Sequence, residues 1–154
     1  MALYFCQTPL GCIGIEEENN AIIAVVFNNE PRPELINTKP TALTQEAILQ
    51  LNAYFAGTLK IFSLPLAPAG TVFQKKIWQL LSIIPYGETF SYKDLAIAAG
   101  NVKAVRAVGQ ANNKNPIPIF IPCHRVIGSN GKLVGYRGGL AMKAQLLAIE
   151  QHSA

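Results

Sequence analysis

The stretch Leu64-Pro65-Leu66-Ala67-Pro68-Ala69-Gly70 constrains this chain more than any other feature. It carries no charge, and its prolines and closing glycine interrupt helix and strand patterns alike. It reads as a linker, and the chain changes character across it. Residues 1–70 hold three basic against six acidic side chains, a net of −3; residues 71–154 hold ten basic against three acidic, a net of +7. A length of 154 residues suits one or two domains. The charge reversal favours two, over 1–69 and 70–154. The basic second part suits nucleic acid or another polyanion, or else is simply a solvated surface.

The first part reads as a small α/β domain, an antiparallel sheet with a helix. Residues 3–6, 12–15 and 21–27 are rich in β-branched and aromatic side chains, and Pro9, Gly11 and a Glu-Asn turn at 16–20 separate them. Residues 28–40 hold three prolines and read as loop. A helix is expected over 44–56, with Ala47, Ile48, Leu51, Tyr54 and Phe55 on one face and Gly57 at its stop. Ile61 and Phe62 read as a further strand.

The second part reads as mainly helical. Thr71-Val72-Phe73-Gln74 has the pattern of a capping box. Phe73, Ile77, Leu80, Leu81 and Ile84 form the apolar stripe of the helix it opens, and Pro85 ends that helix. Ser91-Tyr92-Lys93-Asp94 is a second start signal, closed by Gly100, and a third helix is expected over 102–112. Two short helices around a glycine-containing turn match a helix-turn-helix. On the third helix Val102, Val105 and Val108 are candidates for the core. Lys103, Arg106, Gln110 and Asn113 form a polar stripe flanked by Ala104, Ala107, Ala111 and Gly109. Small residues beside hydrogen-bond donors let a nucleic-acid backbone approach closely; the alternative is an ordinary amphipathic helix. A hairpin is expected where Val126-Ile127 and Leu133-Val134 flank Ser129-Asn130-Gly131-Lys132. The last helix is expected over 140–150, with Met142, Leu146 and Ile149 inward.

The chemistry concentrates in Pro122-Cys123-His124-Arg125-Val126, which follows the apolar run Ile117-Pro118-Ile119-Phe120-Ile121. A nearby base or cation lowers a thiol's pKa and apolar burial raises it. A Cys-His pair in such a run is therefore an inert core thiol or an activated nucleophile. A nucleophilic thiol needs a base in reach and a third group to orient that base. Glu150 is the only carboxylate after Asp94, so it is the candidate orienter, or else a solvated acid at a helix end. Cys6 and Cys12 read as inert core thiols. Three cysteines, an odd number, argue against a disulfide framework and for a reducing compartment. The start lacks the basic region of a secretory signal, and no apolar run has bilayer length. A cytoplasmic protein is expected, or a nuclear one in a eukaryote. Two histidines without CxxC spacing do not supply a zinc site, and no GxxxxGK[ST] loop is present, so neither metal nor cofactor is expected.

The ordered motifs Gly70-Thr71-x-Phe73-Gln74, Ile84-Pro85-Tyr86-Gly87-Glu88-Thr89, Ser91-Tyr92, Arg106-Ala107-Val108-Gly109, Asn115-Pro116, Ile121-Pro122-Cys123-His124-Arg125-Val126-Ile127 and Gly135-Tyr136-x-Gly138-Gly139 carry a resemblance. Together they resemble the methylated-DNA–protein-cysteine methyltransferases, the O6-alkylguanine-DNA alkyltransferases. The match is specific from Gly70 to Glu150. Before Gly70 it extends only to the strand-loop-helix layout and Leu64-Pro65-Leu66.

That resemblance implies an α/β N-terminal domain and a helical C-terminal domain that holds double-stranded DNA and flips an O6-alkylated guanine into a pocket. It implies that Cys123 is the alkyl acceptor, that His124 activates it through a water, and that Glu150 orients His124. Tyr92 would assist extrusion at the adjacent phosphate and protonate the leaving base, and Asn115 would brace the active-site turn. Arg106 would fill the space left by the base, with Lys103, Ala107, Gly109 and Gln110 along the same DNA-binding helix. Val126, Tyr136, Arg137 and Pro118 would line the pocket, Arg137 standing where some relatives carry a small polar residue. The implied reaction is an irreversible, single-turnover methyl transfer by a monomer, possible at O4 of thymine as well. A cysteine hydrolase with a Cys-His-Glu triad and a non-repairing, lesion-sensing DNA-binding module are the alternatives.

Overall fold

The computed structural model describes residues 2–27, 30 and 39–153. They fall into two units, Met1–Pro68 and Ala69–Ala154. The first begins with a three-stranded antiparallel meander, β1 (Ala2–Thr8), β2 (Gly11–Glu18) and β3 (Ala21–Phe27), in the order β1-β2-β3. The turn between β2 and β3 is only two residues. Asn19 and Asn20 lie at φ 51° and 64°, the left-handed pair a two-residue hairpin needs and asparagine tolerates. The glutamates at 16–18 therefore belong to β2, not to the turn. Ile13 and Ile15 of β2 are fully buried with Ile22, Val25 and Phe27 of β3.

Helix α1 (Ala42–Phe55) supplies the rest of this core through Ala47, Leu51 and Tyr54. It starts two residues earlier than 44 because Thr41 and Thr44 cap it reciprocally. Ile48 and Phe55 of the expected face are only half-buried. The expected loop at 28–40 lies, for most of its length, outside the described residues.

Two expectations for this unit fail together. Ile61 and Phe62 do not form a strand: Ile61 is 80% exposed, and Phe62 stacks its ring 5.2 Å from Tyr54. The prolyl stretch read as a linker instead extends the sheet. Ile22 N donates to Pro65 O (2.8 Å), and Ala67 N donates back to Ile22 O (2.8 Å), setting Leu66 beside Ile22 in parallel. Pro65 enters this ladder through its carbonyl, so its missing N–H costs nothing, and the open edge of β3 is partly covered.

The second unit opens with α2 (Val72–Ser82). Its capping box is formed: Gln74 N donates to Thr71 Oγ1 and Thr71 N to Gln74 Oε1. The buried face is Ile77, Trp78 and Leu81, followed by Ile84. Leu80 is half-buried and Phe73 exposed. Trp78, absent from the predicted stripe, is the largest fully buried side chain, and its Nε1 donates to Ala111 O at 2.9 Å. A Cβ on Gly70 would strike the Trp78 ring, so only glycine fits before the cap.

Strand β4 (Phe90–Ser91) leads into α3 (Tyr92–Ala98), capped reciprocally by Ser91 and Asp94. Gly100 turns at φ 88°. A 3-10 turn (Val102–Ala104) then feeds α4 (Val105–Asn113), which packs on α2 and α3 and completes the helix-turn-helix. Val108 is fully buried, but Val102 and Val105 are 48% and 36% exposed. The tighter 3-10 start breaks the 3.6-residue phase on which the valine stripe rested.

The expected hairpin is present only as a turn. Gly128 N donates to Lys132 O across it, with Gly131 at φ 80°. The pairing goes elsewhere: β5 (Val126–Ile127) runs parallel to β4, Phe90 opposite Val126. Helix α5 (Leu140–Ser153) closes the unit. Among the described residues no helix is long and apolar enough to cross a membrane.

Candidate active site

Residues 117–126 form one continuous buried segment between α4 and the β5 turn. Burying so much irregular backbone requires a partner for every N–H. Pro116, Pro118 and Pro122 have none to satisfy. Four of the others are met locally. Ile117 N donates to Asn115 Oδ1 (3.0 Å), Ile121 N to Ile117 O (2.9 Å), Cys123 N to Ile121 O (2.8 Å) and Arg125 N to Pro122 O (3.1 Å). Asn115 closes the loop from the other side, donating from Nδ2 to Ile121 O at 2.8 Å. Within it Ile119 is held at φ 74°, a region that a β-branched residue avoids and that costs of order 1–3 kcal/mol.

Cys123, His124 and Arg125 form a short 3-10 turn at the end of this segment. Cys123 is 6% exposed. Burial pushes its thiol up, opposed by Asn115 and by the positive charges of Lys143 and Arg137. At rest the sulfur therefore keeps its proton and needs a base to give it to. His124 is fully buried, and its Nε2 lies 2.7 Å from Glu150 Oε2. A carboxylate only accepts, so Nε2 carries the hydrogen and Nδ1 keeps its lone pair. Burial holds the imidazole below the ordinary histidine range, opposed by the hydrogen bond and charge of Glu150. His124 is thus a neutral base beside a protonated thiol.

Glu150 is not a solvated helix-end acid: it is fully buried. Its Oε1 also accepts from Arg125 Nε (2.8 Å) and Gly87 N (3.2 Å), and its Oε2 from Arg125 Nη2 (3.0 Å). On α5 the buried positions are Lys143, Leu146 and Glu150, at i, i+3 and i+7. Met142 and Ile149, expected inward, are half-buried. Lys143 Nζ donates to three carbonyls, Val126 O (2.6 Å), Val134 O (3.0 Å) and Gly135 O (3.3 Å), and so ties the segment after Cys123 to the glycine-rich loop. Sequence reasoning missed Lys143 and the pairing role of Arg125. The signal was available: two charged residues seven apart on one helix face, around an inward leucine.

The remaining predicted residues divide cleanly. Tyr92 donates to Val134 O (3.0 Å), and its phenol is pushed up by burial and by the neighbouring Cys123. Gly109 of α4 faces the Tyr92 ring, where an added Cβ would lie 3.6 Å from Cδ1, an ordinary contact distance. Arg137 donates to Asn115 O (2.9 Å), so it braces the acceptor loop. Pro118 and Val126 are buried and Tyr136 half-buried. The Val126 carbonyl accepts from Lys143. Lys103, Arg106, Ala107 and Gln110 are all exposed on the 3-10 turn and α4. Among the described residues no three His, Cys, Asp or Glu side chains group to hold a metal ion.

The buried imidazole has a consequence for stability. The unfolded chain takes up a proton at His124 near pH 6.5, whereas the folded protein resists it. Between the two pKa values the unfolded state binds more protons, so stability rises with pH there and is lost as pH falls below the ordinary value. Melting temperatures measured downward from neutral pH are expected to fall less steeply in His124→Asn than in the parent protein.

Comparison with known proteins gives a concordant result. Residues 1–68 match the ribonuclease-like domain of 6-O-methylguanine DNA methyltransferase, and residues 72–152 match its DNA binding domain. A constitutive methylated-DNA–protein-cysteine methyltransferase of Bacillus subtilis is 51% identical over 154 residues, covering 96% of this chain and 93% of that protein. A methylated-DNA–protein-cysteine methyltransferase of Methanosarcina barkeri is 58% identical over 109 residues, 71% of this chain and 69% of that protein. Among solved structures, Mycobacterium tuberculosis OGT in complex with DNA superposes with a TM-score of 0.94 at 40% identity, over 100% of this chain and 95% of that one. Matched over nearly its whole length in sequence and in fold, the chain belongs to the 6-O-methylguanine DNA methyltransferase family.

Proposed function

We propose that this protein repairs DNA by direct reversal, taking an alkyl group from O6 of a guanine onto the sulfur of Cys123. The observation that carries this reading is the buried Cys123–His124–Glu150 chain, with its base neutral and its thiol protonated. The chemistry balances with these groups alone. His124 takes the thiol proton through a water. The sulfur attacks the alkyl carbon, an S–C bond forms and the C–O6 bond breaks. Tyr92 gives its proton to the departing guanine. The product is a thioether, which water does not cleave, so each molecule acts once.

An alkyl group on O6 lies inside the duplex, so the base must be extruded to meet a buried sulfur. Helix α4 presents Lys103, Arg106, Ala107 and Gln110 outward, with Gly109 close over Tyr92. On this reading Arg106 occupies the space the base vacates, and Lys103 binds phosphate. The pocket is walled by Pro118, Val126 and Tyr136, with Arg137 and Asn115 bracing it. A protein acting on DNA in this way works in the bacterial cytoplasm, or in the nucleus of a eukaryote. The test is the intact mass of the protein after incubation with duplex DNA containing O6-methylguanine. A gain of one methylene, located on Cys123, is expected. Catalytic turnover without a mass gain would indicate a hydrolase, and binding without one a lesion sensor.

Two substitutions on α4 and its leading turn should separate. Lys103→Ala is expected to weaken DNA binding and flatten the salt dependence of log K by about 0.9, one released counterion. Arg106→Ala is expected to slow repair of duplex DNA at least about tenfold more than reaction with free O6-alkylguanine, because extrusion costs a few kcal/mol and the free base needs none. Equal slowing on both substrates would remove Arg106 from the base-replacing role.

A further inference from the structure

Arg125 has no part in the reaction as described so far, yet each of its three guanidinium nitrogens donates a hydrogen bond. Its guanidinium spans three pieces of the unit. Nε and Nη2 form a fork on the two oxygens of Glu150, at 2.8 and 3.0 Å. Nη1 donates to Ile84 O at 2.6 Å, in the turn after α2. The guanidinium carbon lies 5.7 Å from the centre of the Tyr86 ring. The same turn returns to α5: Gly87 N donates to Glu150 Oε1, and Gln151 Nε2 to Gly87 O at 2.8 Å. Arg125 is 8% exposed and Glu150 not at all. A bidentate, planar fork of this kind is specific to arginine; lysine carries the charge without the geometry.

The charge matters because of what else faces Glu150. A buried carboxylate beside an imidazole strongly favours the imidazolium, since attraction between unlike charges is large where water is excluded. An imidazolium has no lone pair to receive the thiol proton. The charged groups acting on His124 are Glu150 and Lys143 from α5, and Arg125 from its own segment. Glu150 is the one carboxylate among them; the two cations oppose it, and of the two only Arg125 is paired with Glu150.

We propose that Arg125 is a positioning residue for alkyl transfer: it fixes the Glu150 carboxylate and cancels its charge, so that Glu150 orients His124 without loading it with a proton. The proposal rests on the reading that Cys123 is alkylated with His124 as base. It explains why the orienting acid is fully paired, where a lone acid would serve orientation alone.

The test compares Arg125→Gln and Arg125→Lys with the parent protein, in single-turnover transfer from O6-methylguanine DNA and in NMR titration of the His124 imidazole. Melting temperatures first establish that each variant is folded at the assay temperature. For Arg125→Gln the His124 resonance is expected to titrate at higher pH than in the parent, and the loss of rate to be about tenfold greater near pH 6 than near pH 8. Arg125→Lys keeps the charge and loses the fork. It is expected to lose rate equally at both pH values, with the His124 titration close to the parent's. A uniform loss in Arg125→Gln with an unmoved titration would make Arg125 a structural staple and overturn the proposal. So would a titration in Arg125→Lys displaced upward, which decides the matter where Arg125→Gln does not fold. If the parent protein itself gains no alkyl group on Cys123, the reading of the reaction fails, while the titration still decides what Arg125 does to His124.

Discussion

Cys123→Ala is expected to bind O6-methylguanine DNA as the parent does and to accept no alkyl group at all. The effect is all-or-none because the sulfur is the reactant and not an aid to it. Cys6 and Cys12 cannot substitute, since both lie on the meander: Cys6 pairs with Ile13 and Cys12 with Gln7, in the other unit from the His124 network. Their double alanine variant should transfer normally. The substitution removes one sulfur from a tight site and the fold survives it, because Asn115 continues to hold the loop through Ile117 and Ile121. Quantifying label on the protein from radiolabelled duplex checks the result, and label retained by Cys123→Ala would end the assignment of the acceptor.

The second large effect concerns His124 and Glu150. Each single substitution is expected to slow transfer by about 10²- to 10⁴-fold, the usual worth of a positioned base. The double variant should be little slower than the worse single one, because a base and its orienter fail together. The structure adds a way to tell chemistry from folding. Glu150→Gln strands Arg125 in a buried site, and breaking one side of such a pair costs about 3–5 kcal/mol. His124→Asn strands no charge. Melting temperature should therefore fall far more in Glu150→Gln than in His124→Asn, although both lose the reaction. Rates measured below the lower melting point then give a clean double-mutant cycle, and additive losses in it would dissolve the unit.

Much of this fold is legible in single stretches of sequence where the determining interactions are local. Thr71 with Gln74 and Ser91 with Asp94 announce helices because both partners of each cap lie within four residues. What escapes is long-range pairing. A strong turn signal predicts a hairpin between Val126-Ile127 and Leu133-Val134, but the partner of Val126 is Phe90, thirty-six positions earlier. Leu66, within a prolyl stretch, joins the sheet through Ile22. The candidate site shows the same division. Cys123 and His124 stand out as neighbours, and Glu150 by scarcity of acids. Lys143 and Arg125 were counted as surface charge, although both are buried. Glu150 is buried with them, so the exposed side chains of the second unit still carry a net charge only one below +7.

The strained backbone at Ile119 bears on how the two reactants must share the work of meeting. A loop that keeps a β-branched residue at φ 74° does so because its neighbours leave it no alternative. Asn115 pins both ends, Arg137 holds the Asn115 carbonyl, and prolines stiffen the steps between. Such a loop does not swing out to seek a substrate. A stiff acceptor leaves the mobility of the encounter to the nucleic acid, and the speed of repair then depends on how readily each damaged pair opens. Lesions that weaken their own pairing would be found first, before any difference in alkyl chemistry is felt.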